Sequence, residues 1–296
     1  MDESGFSLAH CRVVIAGLGL MGGSLALALR GHCREIVGVD ADPAALRFAL
    51  DHAVVDRTAD FNSAFDCDLL VLAAPVRAIL AQLNYLTRAL SNTQHREASP
   101  WDTIRILDLG STKAQIVAAM QSLPPRFDPL GGHPMCGKEV SGIAHAEADL
   151  YRGRTFVLTP LERTSPAALA LAQELIETIG ARPLVLSAER HDALAAVSSH
   201  LPYAVAVALV RAAQSLGDDQ LWALAASGFR DTSRLAGSDL TMMTDILLTN
   251  RAALLDALTR YRHELDTLIA LIDAGDPEAL RAALAPAQSR RSELFK

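Results

Sequence analysis

Polar residues of types that transfer protons or bind carboxylates are concentrated in a few short stretches of the sequence. They lie at 110–113, 132–134, 138–139, 199–200 and 228–234. Histidine is the usual general base near neutral pH. A hydride that leaves a hydroxyl-bearing carbon requires a group that takes up the hydroxyl proton. His133 lies between Gly132 and Pro134, in what we predict to be a rigid turn, and is the first candidate for that group.

Three other polar residues have a structural interpretation beside the functional one. Ser111 either orients the catalytic imidazole or caps a helix predicted over 112–123, and the two roles are compatible. Lys113 is either a second polar group at the same crevice or a solvated residue of that helix. His200 lies in a predicted apolar helix. It either binds the substrate or is a core residue bonded to a backbone carbonyl that Pro202 leaves free.

Basic side chains are needed to hold an anionic substrate. Arg230 and Arg234 flank Asp231, and a planar guanidinium suits a carboxylate, although either arginine is free to pair with Asp231 instead. Lys138 and Glu139 lie either at the mouth of the same crevice or on the solvated surface. The remaining histidines lack partner spacing and are predicted to be on the surface: His10, His32, His52, His95, His145, His191 and His263.

The stretch from Cys11 to Asp40 predicts the element that positions these groups. An apolar run leads into Gly17-Leu18-Gly19-Leu20-Met21-Gly22, and a second apolar run ends in Asp40. This order of strand, glycine turn, helix, strand and acid is typical of a dinucleotide-binding unit. Gly17 allows the tight turn, Gly19 admits a pyrophosphate, and Gly22 lets the helix pack closely against the strand.

The same stretch indicates which cofactor is bound. Asp40 would accept hydrogen bonds from ribose hydroxyls and repel a 2′-phosphate, which predicts NAD rather than NADP. Ala74 and Pro75 follow a later strand and should also face the cofactor. No cysteine spacing typical of a metal site is present, and no metal is expected. The predicted cofactor-binding residues are Gly17, Leu18, Gly19, Leu20, Met21, Gly22, Asp40, Ala74, Pro75 and Ser111.

Hydrophobic periodicity predicts the overall fold. Strands are predicted at 13–16, 36–39, 54–56, 67–73, 104–109, 155–158 and 182–186, and helices at 44–52, 76–90, 112–123 and 166–179. Residues 91–102 read as a surface loop. From residue 188 onward the pattern favours helices alone, at 188–215, 220–226, 241–272 and 277–290. The prediction is an α/β protein with a Rossmann-type, doubly wound, mostly parallel sheet in a dinucleotide-binding domain over 1–187. An all-helical substrate and dimerisation domain follows over 188–296.

Composition limits the partners and the compartment. The 296 residues carry a net charge of −7, which argues against nucleic acid as a partner. The four cysteines show no CxxC or other metal-binding spacing, and the acidic N-terminus lacks a signal-like basic region. A reduced cytoplasmic protein without a membrane span is therefore expected. The predicted helix 241–272 carries leucines at nearly helical spacing, which favours a homodimer over a purely internal core.

Together, these motifs resemble those of the prephenate/arogenate dehydrogenase (TyrA) family. The resemblance covers nearly the whole chain. It rests on GLGLMGGS at 17–24, DLGSTK at 108–113, GGHPMCGKEVSG at 131–142, SSHLPY at 198–203 and SGFRDTSR at 227–234. The GGHPM, HLP and FRDTSR elements are specific, and their occurrence in this order after a dinucleotide-binding unit is not expected by chance.

The resemblance implies an activity and a role for each motif residue. The family oxidatively decarboxylates prephenate to 4-hydroxyphenylpyruvate, or arogenate to tyrosine. By resemblance, His133 polarises the ring 4-hydroxyl, and Ser111 bonds both that histidine and the hydroxyl. His200 would lie at the substrate, Arg234 would clamp a carboxylate, and Glu139 would lie near the pocket mouth. The family also dimerises through its helical half.

One departure from the family pattern bears on the substrate. Many prephenate-using members have a histidine directly after SHLP, where this chain has Tyr203. The pocket must distinguish the keto acid prephenate from the amino acid arogenate, and no acid beyond Glu139 is evident to hold an ammonium group. Prephenate is therefore favoured, with arogenate or dual specificity as the alternative.

Two rival functions are weighed against this assignment. Hydroxyacid dehydrogenases and imine reductases of related architecture use a lysine from the helical half, but no lysine lies between Lys138 and Lys296. A non-catalytic NAD-sensing module would tolerate the loss of His133 or Arg234, yet both are present in intact motifs.

Overall fold

The computed structural model describes residues 7–63, 65–90, 103–138 and 140–294. The chain divides into two compact units, residues 1–251 and 252–296. The predicted loop at 91–102 lies outside the described residues, as do His95 and Glu139.

The first unit is built on an eight-stranded sheet in the order β3-β2-β1-β4-β5-β6-β7-β8. The pairs from β3 to β6 are parallel, β6 and β7 are antiparallel, and β7 and β8 are parallel. This order matches the doubly wound fold, and the predicted fold class is confirmed. The strands are β1 (Arg12–Ala16), β2 (Glu35–Val39), β3 (Arg57–Thr58), β4 (Leu69–Leu72), β5 (Ile104–Asp108), β6 (Phe127–Pro134), β7 (Thr155–Pro160) and β8 (Arg182–Val185).

Helices cover both faces of the sheet. In β1, Val13 and Ile15 pack into one core layer while Val14 and Ala16 pack into the other, because successive strand residues point to opposite faces. The helices are α1 (Leu20–Leu29), α2 (Pro43–Asp51), α3 (Val76–Leu90), α4 (Ala114–Gln121), α5 (Pro166–Thr178), α6 (Ala188–Ala195), α7 (Leu201–Gln214), α8 (Gln220–Leu224), α9 (Ser227–Ser233), α10 (Leu240–Thr249), α11 (Arg251–Ala274) and α12 (Pro277–Leu294).

The predicted strand at 54–56 is wrong. Val54 and Val55 are buried, but their amides bond back to the carbonyl of Ala49 and so extend the end of α2. The strand that pairs with the outer edge of β2 is β3, just downstream. Val54 and Val55, which precede β3, belong to the core between α2 and the sheet. A short apolar run in the sequence does not show whether its residues form a strand or only fill the core.

His133 lies on a strand, and the predicted turn at 132–134 is wrong. β6 runs through this segment and pairs with β7, with His133 opposite Val157. The glycines are needed for close packing here. A Cβ at Gly131 would lie 2.0 Å from Thr159 Oγ1, and one at Gly132 would lie 2.6 Å from the Asp108 carbonyl oxygen.

The predicted helix 241–272 is wrong as a single element. It is divided between α10 and α11 at Asn250, whose backbone (φ −112°, ψ 32°) leaves the helical conformation.

The segment Ser227–Ser233, for which no helix was predicted, forms α9. The predicted helix 188–215 is present over Ala188–Gln214, with a π turn at Ala196–His200 between α6 and α7.

This helical run, Ala188–Gln214, is long and apolar enough to cross a membrane by length and composition alone. His191, Asp192 and His200 within it are nonetheless buried and hydrogen-bonded to other elements. Buried polar groups with partners on other elements are expected of a helix that packs within a protein fold, and they argue against a membrane span.

Candidate active site

The turn between β1 and α1 has the geometry of a nucleotide-binding turn. Gly17 has φ +108°, which favours glycine, and a Cβ there would lie 2.5 Å from the Ala73 carbonyl oxygen. A Cβ at Gly22 would lie 1.8 Å from the Gly17 carbonyl oxygen. The turn, α1 and the residues after β4 are therefore packed backbone against backbone, as the spacing of the glycines predicts.

Gly19 differs from these two glycines because open space surrounds it. A Cβ added there would meet nothing within 4 Å, and Gly19 is the N-cap residue of α1 without a side-chain cap. The first amides of α1 therefore point into an open cradle, where a phosphate is favoured. Asp40 directly follows β2 beside this cradle and accepts a hydrogen bond from the Leu18 amide at 2.6 Å. These residues fit the diphosphate and ribose of NAD.

Gly19→Ala tests this cradle without disturbing the fold. We expect the free energy of unfolding to change by less than about 1 kcal/mol. The Kd for NAD is expected to rise at least about tenfold, because the methyl group occupies the approach of the diphosphate. Urea unfolding and calorimetric titration with NAD measure the two quantities.

Gly22→Ala is the matched control, and it is expected to lose stability as well as affinity, because its Cβ has no room. Unchanged NAD affinity in Gly19→Ala would contradict the assignment of the cradle.

Lys138 lies on the cofactor side of the molecule. Its ammonium pairs with Glu147 at 2.6 Å and donates to the His145 carbonyl oxygen at 3.4 Å. The segment Ser141–His145 forms one wall of an open pocket whose other lining residues include Gly19 and Asp40. Lys138 therefore contacts a segment that lines this pocket, and its predicted place at the substrate crevice stays a prediction.

Two carboxylates from the helical half cap helices that follow the sheet. Asp192 accepts hydrogen bonds from the Lys113 and Ala114 amides at 2.7 and 2.9 Å, at the start of α4. Asp245 accepts one from the Arg77 amide at 3.1 Å, at the start of α3. Ser111 is not the N-cap of α4, so that structural prediction is wrong; the cap comes from a distant segment that spacing does not reveal.

His133 belongs to a chain of three hydrogen-bonded side chains. Its Nδ1 lies 2.8 Å from His191 Nε2, and His191 Nδ1 lies 2.8 Å from Asp192 Oδ1. His191 is only 2% exposed, so its predicted surface position is wrong. Its neighbour Asp192 was also missed, and the adjacent His-Asp pair in the helix is the one signal that marked either residue.

The chain of bonds fixes which nitrogen of His133 carries hydrogen. The Asp192 carboxylate only accepts, so His191 Nδ1 donates to it. In the neutral pair, His191 Nε2 then accepts from His133 Nδ1. His133 Nε2 is left unprotonated, and it makes no hydrogen bond within the part of the chain that the structure describes.

Electrostatics keep His133 neutral. Burial, with the nearby His191, Lys113 and His200, lowers the pKa of His133 well below its usual value. Burial acts to raise the pKa of Asp192, but hydrogen bonds from His191 and from two backbone amides outweigh it and lower that pKa. His133 is therefore a neutral imidazole whose Nε2 carries a free lone pair. His191 connects it to the ionised carboxylate of Asp192.

A buried ion pair holds the backbone next to His133. Lys113 and Asp108 form an ion pair with fully buried side chains, so the prediction of a solvated Lys113 is wrong. Lys113 Nζ also donates to the Gly132 carbonyl oxygen at 2.5 Å, and the Gly132 amide donates to Asp108 Oδ1 at 3.0 Å. Both polar groups of the residue before His133 are thereby fixed to β5 and the start of α4.

His200 is brought to the same region by the π turn. On a regular α-helix, eight positions of about 100° each would leave Asp192 and His200 roughly 80° apart around the axis. The π turn absorbs one extra residue, so the two are related roughly as positions i and i+7, which share a face. Asn250 connects them: its Nδ2 lies 2.8 Å from the Asp192 carbonyl oxygen and 3.1 Å from His200 Nδ1.

The other predicted site residues have less defined surroundings. Arg234 is exposed and begins a 3-10 turn whose Leu235 packs against the cluster of Tyr203, Met243 and Ile246. Tyr203 itself is buried against α10. Ser111 is partly exposed in the loop after β5, and its hydroxyl makes no hydrogen bond to His133 in the described chain. Glu139, lying outside the described residues, has no structural description.

Comparison with known proteins identifies the family. The family model described as prephenate dehydrogenase, nucleotide-binding domain, matches residues 25–185. The model described as prephenate dehydrogenase, dimerization domain, matches residues 187–286. The prephenate dehydrogenase of Bacillus subtilis is 35% identical over 277 residues, which are 90% of this chain and 72% of that protein.

Two solved structures extend the comparison. The prephenate dehydrogenase of Aquifex aeolicus, in complex with hydroxyphenyl propionate and NAD+, has a TM-score of 0.87 and 32% identity, covering 98% of this chain and 100% of that one. The Synechocystis arogenate dehydrogenase has a TM-score of 0.78 and 32% identity, covering 96% of this chain and 100% of that one. On the nucleotide-binding turn, the His133 site and these matches, the chain belongs to the prephenate dehydrogenase family.

Proposed function

We propose that this chain is an NAD-dependent dehydrogenase that converts prephenate to 4-hydroxyphenylpyruvate by oxidative decarboxylation. The observation that carries the proposal is the neutral His133, whose Nε2 is left free by the bond from Nδ1 to His191. That nitrogen is suited to accept the proton of a hydroxyl group. His133 lies near the carboxyl end of β6, at the sheet edge where a doubly wound fold binds its ligands.

Each part of the site has a separate role in the proposed reaction. NAD+, when bound at the β1–α1 turn, supplies the acceptor for the hydride from C4 of the substrate. His133 Nε2 accepts the 4-hydroxyl proton as electron density moves toward the ring, and returns it as the phenol forms. Loss of the ring carboxylate as CO2 makes the ring aromatic, which drives the reaction. Asp192 and His191 stabilise positive charge that develops on His133.

Substrate binding is assigned to the remaining motif residues. Arg234 is proposed to hold a substrate carboxylate, as a guanidinium does well. Ser111 is proposed to contact the hydroxyl and, with ligands bound, His133. His200 is proposed to contact a substrate oxygen. Glu139 keeps its proposed place at the pocket mouth.

Arogenate, or both substrates, is the second candidate. The similarity to the Synechocystis arogenate dehydrogenase favours it, at 32% identity. Tyr203 does not decide between the substrates, because it is 7% exposed and packs against Met243 and Ile246.

One assay decides among these functions. Formation of reduced coenzyme is followed by absorbance with prephenate or arogenate, each with NAD and NADP. We expect turnover with prephenate and NAD, and a weaker rate with NADP because Asp40 would repel a 2′-phosphate. Absence of reduction with either substrate would rule out the proposed function.

The proposal extends to organisation and compartment. A division at 187/188 is supported by the end of the sheet at β8 and by the boundary between the two matching family models.

Dimerisation through the helical half is supported by apolar side chains that α11 exposes, including Leu255, Ile269 and Ile272. The cysteines Cys11, Cys33, Cys67 and Cys136 are free thiols, which supports the reducing cytoplasm as the compartment.

A further inference from the structure

We propose that Asn250 is a positioning residue that holds His200 in the tautomer with hydrogen on Nε2, so that His200 meets the substrate as a hydrogen-bond donor. The proposal rests on the proposed function, since it concerns the same site. It assigns a role to a residue at the junction of α10 and α11 that no motif marks.

The orientation of the Asn250 amide follows from its contacts. The Asp192 carbonyl oxygen, 2.8 Å away, can only accept, so the group facing it must be Nδ2. The second hydrogen of Nδ2 is then directed at His200 Nδ1, 3.1 Å away. Asn250 is 5% exposed and His200 is 1% exposed, so water does not compete for these bonds.

The tautomer of His200 is a consequence. A nitrogen that accepts a hydrogen bond from Nδ2 carries no hydrogen, so the single hydrogen of the neutral ring lies on Nε2. Among the described residues, three titratable side chains interact electrostatically with His200: Asp192, His191 and His133. Burial is the largest effect and lowers the pKa of His200 to about 4, against the attraction of Asp192. The ring is therefore neutral at physiological pH.

Asp192 thus fixes two histidines with opposite hydrogen-bonding character. Its carboxylate acts through His191 and leaves His133 Nε2 as an acceptor. Its backbone carbonyl acts through Asn250 and leaves His200 Nε2 as a donor. An acceptor suits a substrate hydroxyl, whereas a donor suits a carboxylate or keto oxygen. Prephenate presents both kinds of group.

Asn250→Asp reverses the proposed bond with little change in volume. A carboxylate accepts and cannot donate, so it should draw the hydrogen of His200 onto Nδ1. We expect the KM for prephenate to rise at least about tenfold, with kcat changed less than about threefold, because a bond to a charged group is lost in binding.

Magic-angle-spinning NMR of ¹⁵N-histidine-labelled protein reads the tautomer directly and needs no turnover. His200 is assigned by its absence from the spectrum of His200→Asn. The proposal expects hydrogen on Nε2 in the wild-type protein near pH 7, and hydrogen on Nδ1 in Asn250→Asp.

Thr249→Val is the matched control at the same helix junction. It removes a hydroxyl that bonds Thr112 Oγ1 at 2.9 Å and leaves Asn250 in place. It should leave the His200 tautomer unchanged and KM within about twofold. If KM rose equally in this control, any disturbance of the α10–α11 junction would be enough to weaken substrate binding. That result would overturn the positioning role of Asn250.

The outcomes separate this proposal from the proposed function. Hydrogen on Nδ1 of wild-type His200 overturns it, and this spectrum decides even if Asn250→Asp does not fold. A changed tautomer with unchanged KM overturns the role in substrate binding. If the wild-type protein oxidises neither prephenate nor arogenate, the proposed function fails, while the spectrum still decides the tautomer.

Discussion

Replacing His133 with asparagine is expected to lower kcat by about 10²–10⁴-fold, with a much smaller change in KM. Asparagine keeps a polar group near the position of Nδ1, so a bond to His191 remains possible. It cannot, however, take up a hydroxyl proton. The measurement is steady-state formation of reduced NAD with prephenate. Since His133 acts only in the transition state, binding of the substrate should persist.

The same residue sets the acid side of the pH profile. The neutral form of His133 is the competent one, and its pKa is lowered by burial and by His191, Lys113 and His200. Activity is therefore retained as pH falls to 6.5, the ordinary value for histidine, and is lost only at lower pH, where His133 becomes protonated. A fall in kcat/KM centred above pH 6.5 would contradict this assignment.

Arg234→Gln is the contrasting variant for His133→Asn. Glutamine cannot clamp a carboxylate with two parallel bonds, so KM should rise while kcat changes little. If His133→Asn mainly raised KM and Arg234→Gln mainly lowered kcat, the two roles would be wrongly assigned.

Lys113→Met is expected to lower the free energy of unfolding by about 3–5 kcal/mol. Methionine fills the volume of the lysine stem, but it leaves the Asp108 carboxylate buried without a cation. The Gly132 carbonyl also loses its donor. Urea unfolding, followed by far-ultraviolet circular dichroism, measures the change.

A double-variant cycle separates the ion pair from simple packing. Asp108→Asn removes the charge, so the double variant should be destabilised by less than the sum of the two single changes. Lys138→Met is the matched control, because its pair with Glu147 is partly exposed. It should cost less than about 1 kcal/mol. Strictly additive effects at Lys113 and Asp108 would contradict the buried pair.

The nucleotide-binding half could be predicted closely from sequence. Gly17, Gly22 and Asp40 act through local backbone geometry, and local geometry is encoded in spacing along the chain. The boundaries of α3 were predicted for the same reason. The strand at 54–56 failed because burial and strand formation favour the same residues.

The catalytic site was predicted only in part. Motifs identified Ser111, His133, His200 and Arg234 as candidates, and the resemblance gave them roles. The turn around His133 was mistaken because glycine serves close packing in β6 as readily as it serves a turn. His191 was placed on the surface because its partner His133 lies 58 residues away in the sequence, and the adjacent Asp192 was not recognised as its second partner.

The sequence by itself determined the family, the cofactor-binding turn and the residue types available for chemistry, because these depend on spacing within one strand–turn–helix unit or one motif. Tertiary structure alone decided how those residues are held. Asp192 reaches the amide of Lys113 across 79 residues of the chain, and Asn250 reaches His200 across 50 residues. Such bonds exist only once the sheet and helices have packed, since hydrogen-bond partners are fixed by distance in space.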